Sequence, residues 1–246
     1  MATGVNRIHI LGVPLDVVED KNLPTAIEQL KKNDSHGQII LLDFHEFMRS
    51  RISKERKAAL ETAALVFPVS RLICWASKFT GEAIPPLRRP YPFVIRLLGI
   101  LESKRQSVYL LGSSMKGVRS AESTLRATFP GLHIVGRYAS RFPKDRENDV
   151  VTAIKKSSPA LLLAGKGLKG RHLWLSRRKP QLNSGLSLWE RSCFDVFSGK
   201  RNKPSYSRGV LFFKNLFSTV FLPWRIFRLF RYMWFFLLVL VERIRK

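Results

Sequence analysis

The chain has 246 residues, 45% hydrophobic and 25% charged, which excludes a disordered chain and is enough for one sizeable core. Its 43 Lys and Arg outnumber 18 Asp and Glu, a net charge of +25, so the expected partner is anionic: nucleic acid, lipid headgroups or a phosphorylated substrate. Acids thin out towards the C-terminus, where only Glu190, Asp195 and Glu242 follow residue 154.

The start, MATGVNRIHILGV, lacks the charged opening, long apolar stretch and cleavage site of a signal peptide, so a cytoplasmic protein is expected. Short apolar runs then alternate with helical ones. Strands are predicted at Arg7–Leu11, Gln38–Phe44, Ala64–Phe67, Ser107–Leu111, Leu132–Val135 and Ala160–Ala164. Helices are predicted near Leu23–Lys32, Glu55–Thr62, Arg71–Phe79, Phe93–Ser103, Val118–Thr128, Asp145–Ser157 and Gly170–Arg178. The strands are brief and apolar on both faces, as in a parallel sheet covered on both sides. The alternation predicts one Rossmann-like α/β domain over residues 1–200.

Several stretches carry candidate chemistry. Asp43 closes the second strand in LLDFHEF and could serve as a general base or as a helix cap. The third strand ends in LVFPVSRL, where Val69 and Ser70 occupy the loop at the strand's C-terminal end. Cys74 and Cys193 form no CxxC pair and read as reduced, buried thiols. VYLLGSSMKGV runs from strand through a Gly-rich turn into a helix: Gly112, Ser113, Ser114 and Gly117 could hold a diphosphate on free backbone N–H groups. Gly165, Lys166 and Gly167 repeat the theme after LLLA, so two strand ends together suggest a nucleotide-diphosphate crevice. Asp195, in CFDVFSG, is a second candidate acid. The five histidines have no metal-ligand spacing; no metal and no cofactor are expected.

The composition changes near Lys200, where SGKRNKPSYSRG reads as a linker. Residues 201–246 form a basic, aromatic-rich helical appendage. Its longest uncharged run, Tyr232–Val241, has ten residues, about 15 Å of helix against roughly 30 Å of bilayer core. A simple span is not expected. Arg225, Arg228 and Arg231 recur every third residue, with Trp224, Phe227, Phe230, Trp234 and Phe235 nearby. That combination suits a helix lying on an anionic membrane surface. A nucleic-acid groove is disfavoured by the long apolar run.

In order, these pieces resemble the bacterial WecG/TagA/CpsF glycosyltransferases. IHILGVPLDVV resembles the family's opening strand with its Asp, here Asp16; VYLLGSSMKGV, ATFPGLHIVGRY, IKKSSPALLLAGKG, CFDVFSGKRNKPS and LPWRIFRLFRY resemble later family segments. The resemblance implies transfer of an N-acetylmannosamine-type sugar from a UDP-sugar donor to a lipid-diphosphate acceptor in envelope polysaccharide or teichoic-acid synthesis. It also implies peripheral attachment to the inner face of the cytoplasmic membrane. By resemblance, Arg225, Arg228, Arg231 and Trp224 face the lipid-linked diphosphate or headgroups, and Arg88 belongs to a nucleotide-binding segment.

The departures are specific. Where the family carries its proposed catalytic Asp-Gly, this chain has Val69-Ser70. Tyr91 and Phe93 replace a Gly and an Asp downstream of Arg88, and Leu168 to His172 replace a polar and acidic nucleotide-holding segment. A positioned base is typically worth 10²- to 10⁴-fold in such a transfer, and neither Val69 nor Ser70 is one at neutral pH. Asp43 is the available substitute. Two readings follow: a divergent membrane-associated transferase, or an inactive relative that docks or scaffolds at the membrane. The oligomeric state stays open, a homo-oligomer included.

Overall fold

The computed structural model describes residues 5–32, 36–112, 114–204 and 226–245, without the side chains of residues 31, 32 and 226–229. Its centre is a six-stranded sheet in the order β4-β3-β8-β7-β5-β6. These strands are β3 (Gly37–Leu42), β4 (Leu65–Pro68), β5 (Ser107–Leu111), β6 (His133–Tyr138), β7 (Leu161–Ala164) and β8 (Leu186–Trp189). Every pairing among them is parallel, so the Rossmann-like α/β class is present.

The first strand differs from expectation. β1 (Asn6–Ile10) does not join the main sheet; it forms an antiparallel hairpin with β2 (Val13–Val17). The two-residue turn, Leu11-Gly12, has φ of 50° and 71°, the left-handed pair that a tight hairpin turn requires. Asp16 fixes the hairpin to the core. Its carboxylate, fully buried, takes two hydrogen bonds from Arg7 at 2.8 and 2.9 Å and one from the Val66 N–H of β4 at 2.6 Å. This accounts structurally for the Asp of the opening motif.

Both sheet faces are covered because the strands are apolar on both sides. One face packs α1 (Leu23–Lys32), α5 (Pro90–Ser103), α6 (Met115–Thr128) and α9 (Cys193–Phe197) around Ile39, Phe67, Leu110 and Leu163. On the other face, the hairpin, α2 (Phe44–Ser50), α3 (Lys54–Glu61) and α4 (Arg71–Phe79) pack over Ile40, Leu42 and Val66. Beside them, α7 (Glu147–Ser157) and α8 (His172–Leu182) cover Leu111, Leu162 and Ala164.

The C-terminal helix, α10 (Ile226–Arg245), joins the hairpin side of this core. Phe235 and Val239 are fully buried in the same cluster as Ile10 and Phe47. The opposite stripe of α10, including Phe230, Met233, Trp234, Leu237, Leu240 and Ile244, is exposed. Among the described residues no helix is long and apolar enough to cross a membrane.

Candidate functional site

The two glycine-rich strand ends lie side by side. Leu111 of β5 pairs with Ala164 of β7, and the Gly165 N–H donates to Leu111 O at 2.8 Å. From β5 the chain crosses outward to β6; from β7 it crosses the other way to β8. Such a divergence opens a crevice at the C-terminal ends of the strands, where ligands of open α/β sheets bind.

Glycine is required at the crevice floor for a packing reason. A β-carbon on Gly112 would lie 2.5 Å, and one on Gly165 2.2 Å, from the ring of Phe194 on α9. These glycines admit Phe194 beneath the crevice, a role the phosphate reading did not include. Ser114 caps α6: its Oγ accepts from the Gly117 N–H at 3.3 Å. Ser113 lies outside the described residues.

Above this floor, a cleft of about 240 Å³ is lined by Ser114, Arg141, Lys166, Asp195 and Lys200. Lys166 Nζ lies 3.9 Å from the Asp195 carboxylate. Three cations, one acid and a helix N-terminus suit a diphosphate better than a neutral ligand. Arg141 also borders a second cavity of about 390 Å³, with Phe142, Lys144, Glu147, Lys169 and Trp174 in its walls. There the Trp174 indole donates to Glu147 at 2.8 Å, and the Ser140 hydroxyl donates to Lys166 O at 2.6 Å. Gly167, at φ 108°, allows the loop to turn against Ser140. Arg141 is common to the cation-lined cleft and the aromatic-walled cavity.

Sequence reasoning singled out Lys166, the glycines and Asp195, but not Arg141 or Lys200 as lining residues. Arg141 follows β6, an edge strand; its relevance depends on β6 pairing with β5, which no local pattern reveals.

The remaining candidates lie elsewhere. Arg88 follows β4, three strand positions from β7, roughly 14 Å at normal strand spacing. It is buried, bonded to Asp20 and to Val18 O, and placed over the Phe67 ring at 5.2 Å. The structure does not bring it to the glycine crevice. Its Nε is buried with no partner among the described residues.

Asp43 follows β3 and caps α2, its Oδ1 accepting from the Glu46 N–H at 2.8 Å. Next to it, His45 meets Arg231 of α10, and Phe44 stacks on Tyr232 with ring centroids 4.9 Å apart. The start of α10 thus sits at the C-terminal edge of β3. Trp224 and Arg225 lie outside the described residues, as does the Arg228 side chain. Val69 is held to the same edge by its N–H to Leu42 O at 3.0 Å, and Ser70 opens α4 without a side-chain capping bond.

Cys193 is buried as expected, whereas Cys74 is only half-buried; burial pushes the Cys74 thiol up to about 11 and that of Cys193 well above its ordinary value, the opposite of the shift that activates a thiolate. Among the described residues no group of three or more His, Cys, Asp or Glu could hold a metal ion.

A family model described as the glycosyl transferase WecG/TagA/CpsF family matches residues 8–246, nearly the whole chain. No curated protein matches.

Proposed function

The chain belongs to the WecG/TagA/CpsF glycosyltransferase family, and from that premise we propose that it moves a sugar from a UDP-sugar to a lipid-linked diphosphate acceptor. The carrying observation is the cationic cleft at the adjoining ends of β5 and β7. In this reading the donor diphosphate lies against Ser114, Arg141, Lys166 and Lys200, with the α6 N-terminus beneath it. The aromatic-walled cavity beyond Arg141 receives the nucleoside. The acceptor approaches the ends of β3 and β4, where α10 begins, from the inner face of the cytoplasmic membrane.

The chemistry follows from charge. The acceptor oxygen bonds to the anomeric carbon as the bond from that carbon to the diphosphate breaks. The negative charge left on the diphosphate meets the cations already positioned there, which is where such sites gain most. The acceptor proton goes to Asp43, whose Oδ2 is not used in capping α2. Arg225, Arg228 and Arg231 serve the acceptor diphosphate or headgroups.

Asp43→Asn separates base from cap, because Asn caps a helix as well as Asp does but takes no proton. Turnover of UDP-sugar on membrane acceptors should fall 10²- to 10⁴-fold with the melting temperature unchanged. Unchanged turnover removes Asp43 from the mechanism. Val69-Ser70 at the family's catalytic position favours a second reading, an inactive relative that docks or scaffolds at the membrane. That reading predicts vesicle binding with no turnover by the wild-type chain.

A further inference from the structure

Away from the crevice, a cleft of about 350 Å³ lies between the hairpin turn, α2 and the far end of α10. Leu11 and Arg51 form one wall; Leu238, Val241, Glu242 and Arg245 form the other. The four α10 residues follow the i, i+3, i+4, i+7 spacing of one helical face.

The cleft's charges are unevenly satisfied. Both Glu242 oxygens accept from the Leu11 N–H at 3.0 Å. That bond ties α10 to the hairpin turn. Arg51 spends only its Nε, on Leu11 O at 3.4 Å, and its Nη groups have no hydrogen-bond partner among the described residues. Burial lowers its pKa, against the pull of Glu242. Arg245 is exposed and likewise without a hydrogen-bonded partner among the described residues. Two guanidinium groups therefore border a recess whose single carboxylate is already committed.

The surroundings identify the anion's source. Leu237, Leu240 and Ile244 are exposed on the adjoining row of α10, and Trp75 of α4 extends that surface against Phe236, ring centroids 5.2 Å apart. Arg243 stands over the Phe79 ring at 4.9 Å, at the same end of the helix pair. So wide an apolar stripe beside a cationic recess matches a bilayer, with acyl chains on the stripe and headgroup phosphate in the recess. A second copy of this chain fits less well, since it would set Arg243, Arg245 and a net charge of +25 against their own kind.

We infer that the cleft between the hairpin turn and α10 seats the phosphate of an anionic phospholipid headgroup on Arg51 and Arg245, with α4 and α10 forming the lipid-facing surface. This rests on the membrane reading above and adds a specific headgroup site to it. The site uses the forked guanidinium, so charge alone does not replace it.

The test is sedimentation of the full chain with vesicles of phosphatidylcholine, alone or mixed equally with phosphatidylglycerol. Wild type should prefer the mixed vesicles. R51K/R245K keeps every charge yet should bind them about fivefold more weakly, the scale of one hydrogen bond lost when an ammonium replaces the guanidinium fork. R245K, altered only at an exposed side chain, should show part of that loss with an unchanged melting curve, which separates headgroup binding from misfolding. If wild type binds and both variants bind equally well, the headgroup site is wrong and the membrane reading stands. If wild type binds neither vesicle, or light scattering shows the apolar face closed in a dimer, both fail.

Discussion

Phe194 decides what can stand at positions 112 and 165. Replacing either glycine with alanine drives a methyl group into its ring, and overpacking of this kind costs about 1–3 kcal/mol. Gly165→Ala should lower the unfolding free energy by that amount, read by urea unfolding, even with no ligand present. A glycine needed only by the ligand would show no such loss. A second residue-scale test concerns Glu46. Burial raises its carboxyl, but the His172 ring and the Arg56 guanidinium outweigh burial and bring it from 4.5 down to about 2. A depressed carboxyl stabilises the fold above its unfolded value and loses that contribution as pH falls through the folded one. Wild type should therefore lose stability between about pH 4.5 and pH 2, and Glu46→Gln should flatten that part of the curve. Equal pH curves for the two proteins would contradict the assignment. The sequence showed Glu46 only as a residue after a strand, because its partners come from α3 and from the start of α8.

Among the elements, α10 is the one whose placement changes the picture most. Its residue pattern suits either the protein's own core or a membrane, and the helix offers a face to each. Phe235 and Val239 enter the hairpin core, while the opposite stripe is open. Phe235→Ala removes the anchor of the buried face. Hydrogen exchange over 226–245 should quicken while β5 and β7 stay protected; uniform quickening would mean that α10 is integral to the global fold. The legible elements were those with dense apolar runs: β4, β5 and β7 lie within a residue of where the pattern placed them, whereas the run expected to reach Phe44 ends at Leu42, where Asp43 turns the chain into α2. β2 stayed hidden although Val13, Leu15 and Val17 alternate, because Pro14 argues against a strand, and the carboxylate of Asp16 is satisfied by Arg7, which lies directly opposite. β8 has only four residues, including Ser187, yet it sits between β3 and β7. Strand order is a matter of long-range pairing, so the neighbouring positions of the two glycine edges could be suspected from sequence but not placed.

At the scale of the molecule, a parallel sheet separates two kinds of residue that the sequence could only enumerate together. Lys166, Asp195, Arg141 and Lys200 gather at the β5–β7 end. Asp43, Val69, Ser70 and Arg231 gather near the β3–β4 end, two or more strand positions away, about 10 Å or more. The family model matches nearly the whole chain, and the departures fall at both ends of the sheet: Val69-Ser70 beyond β4, and Leu168 to His172 beside the aromatic-walled cavity. Whatever has become of the catalytic position, the first group is expected to bind a nucleotide diphosphate. Titration calorimetry with UDP tests this most directly, on wild type and on Lys166→Ala. Wild type should bind with micromolar affinity, and removing the lysine should weaken binding about tenfold, the scale of one charge-assisted contact. No heat of binding by wild type, or equal affinity in the two proteins, would contradict it.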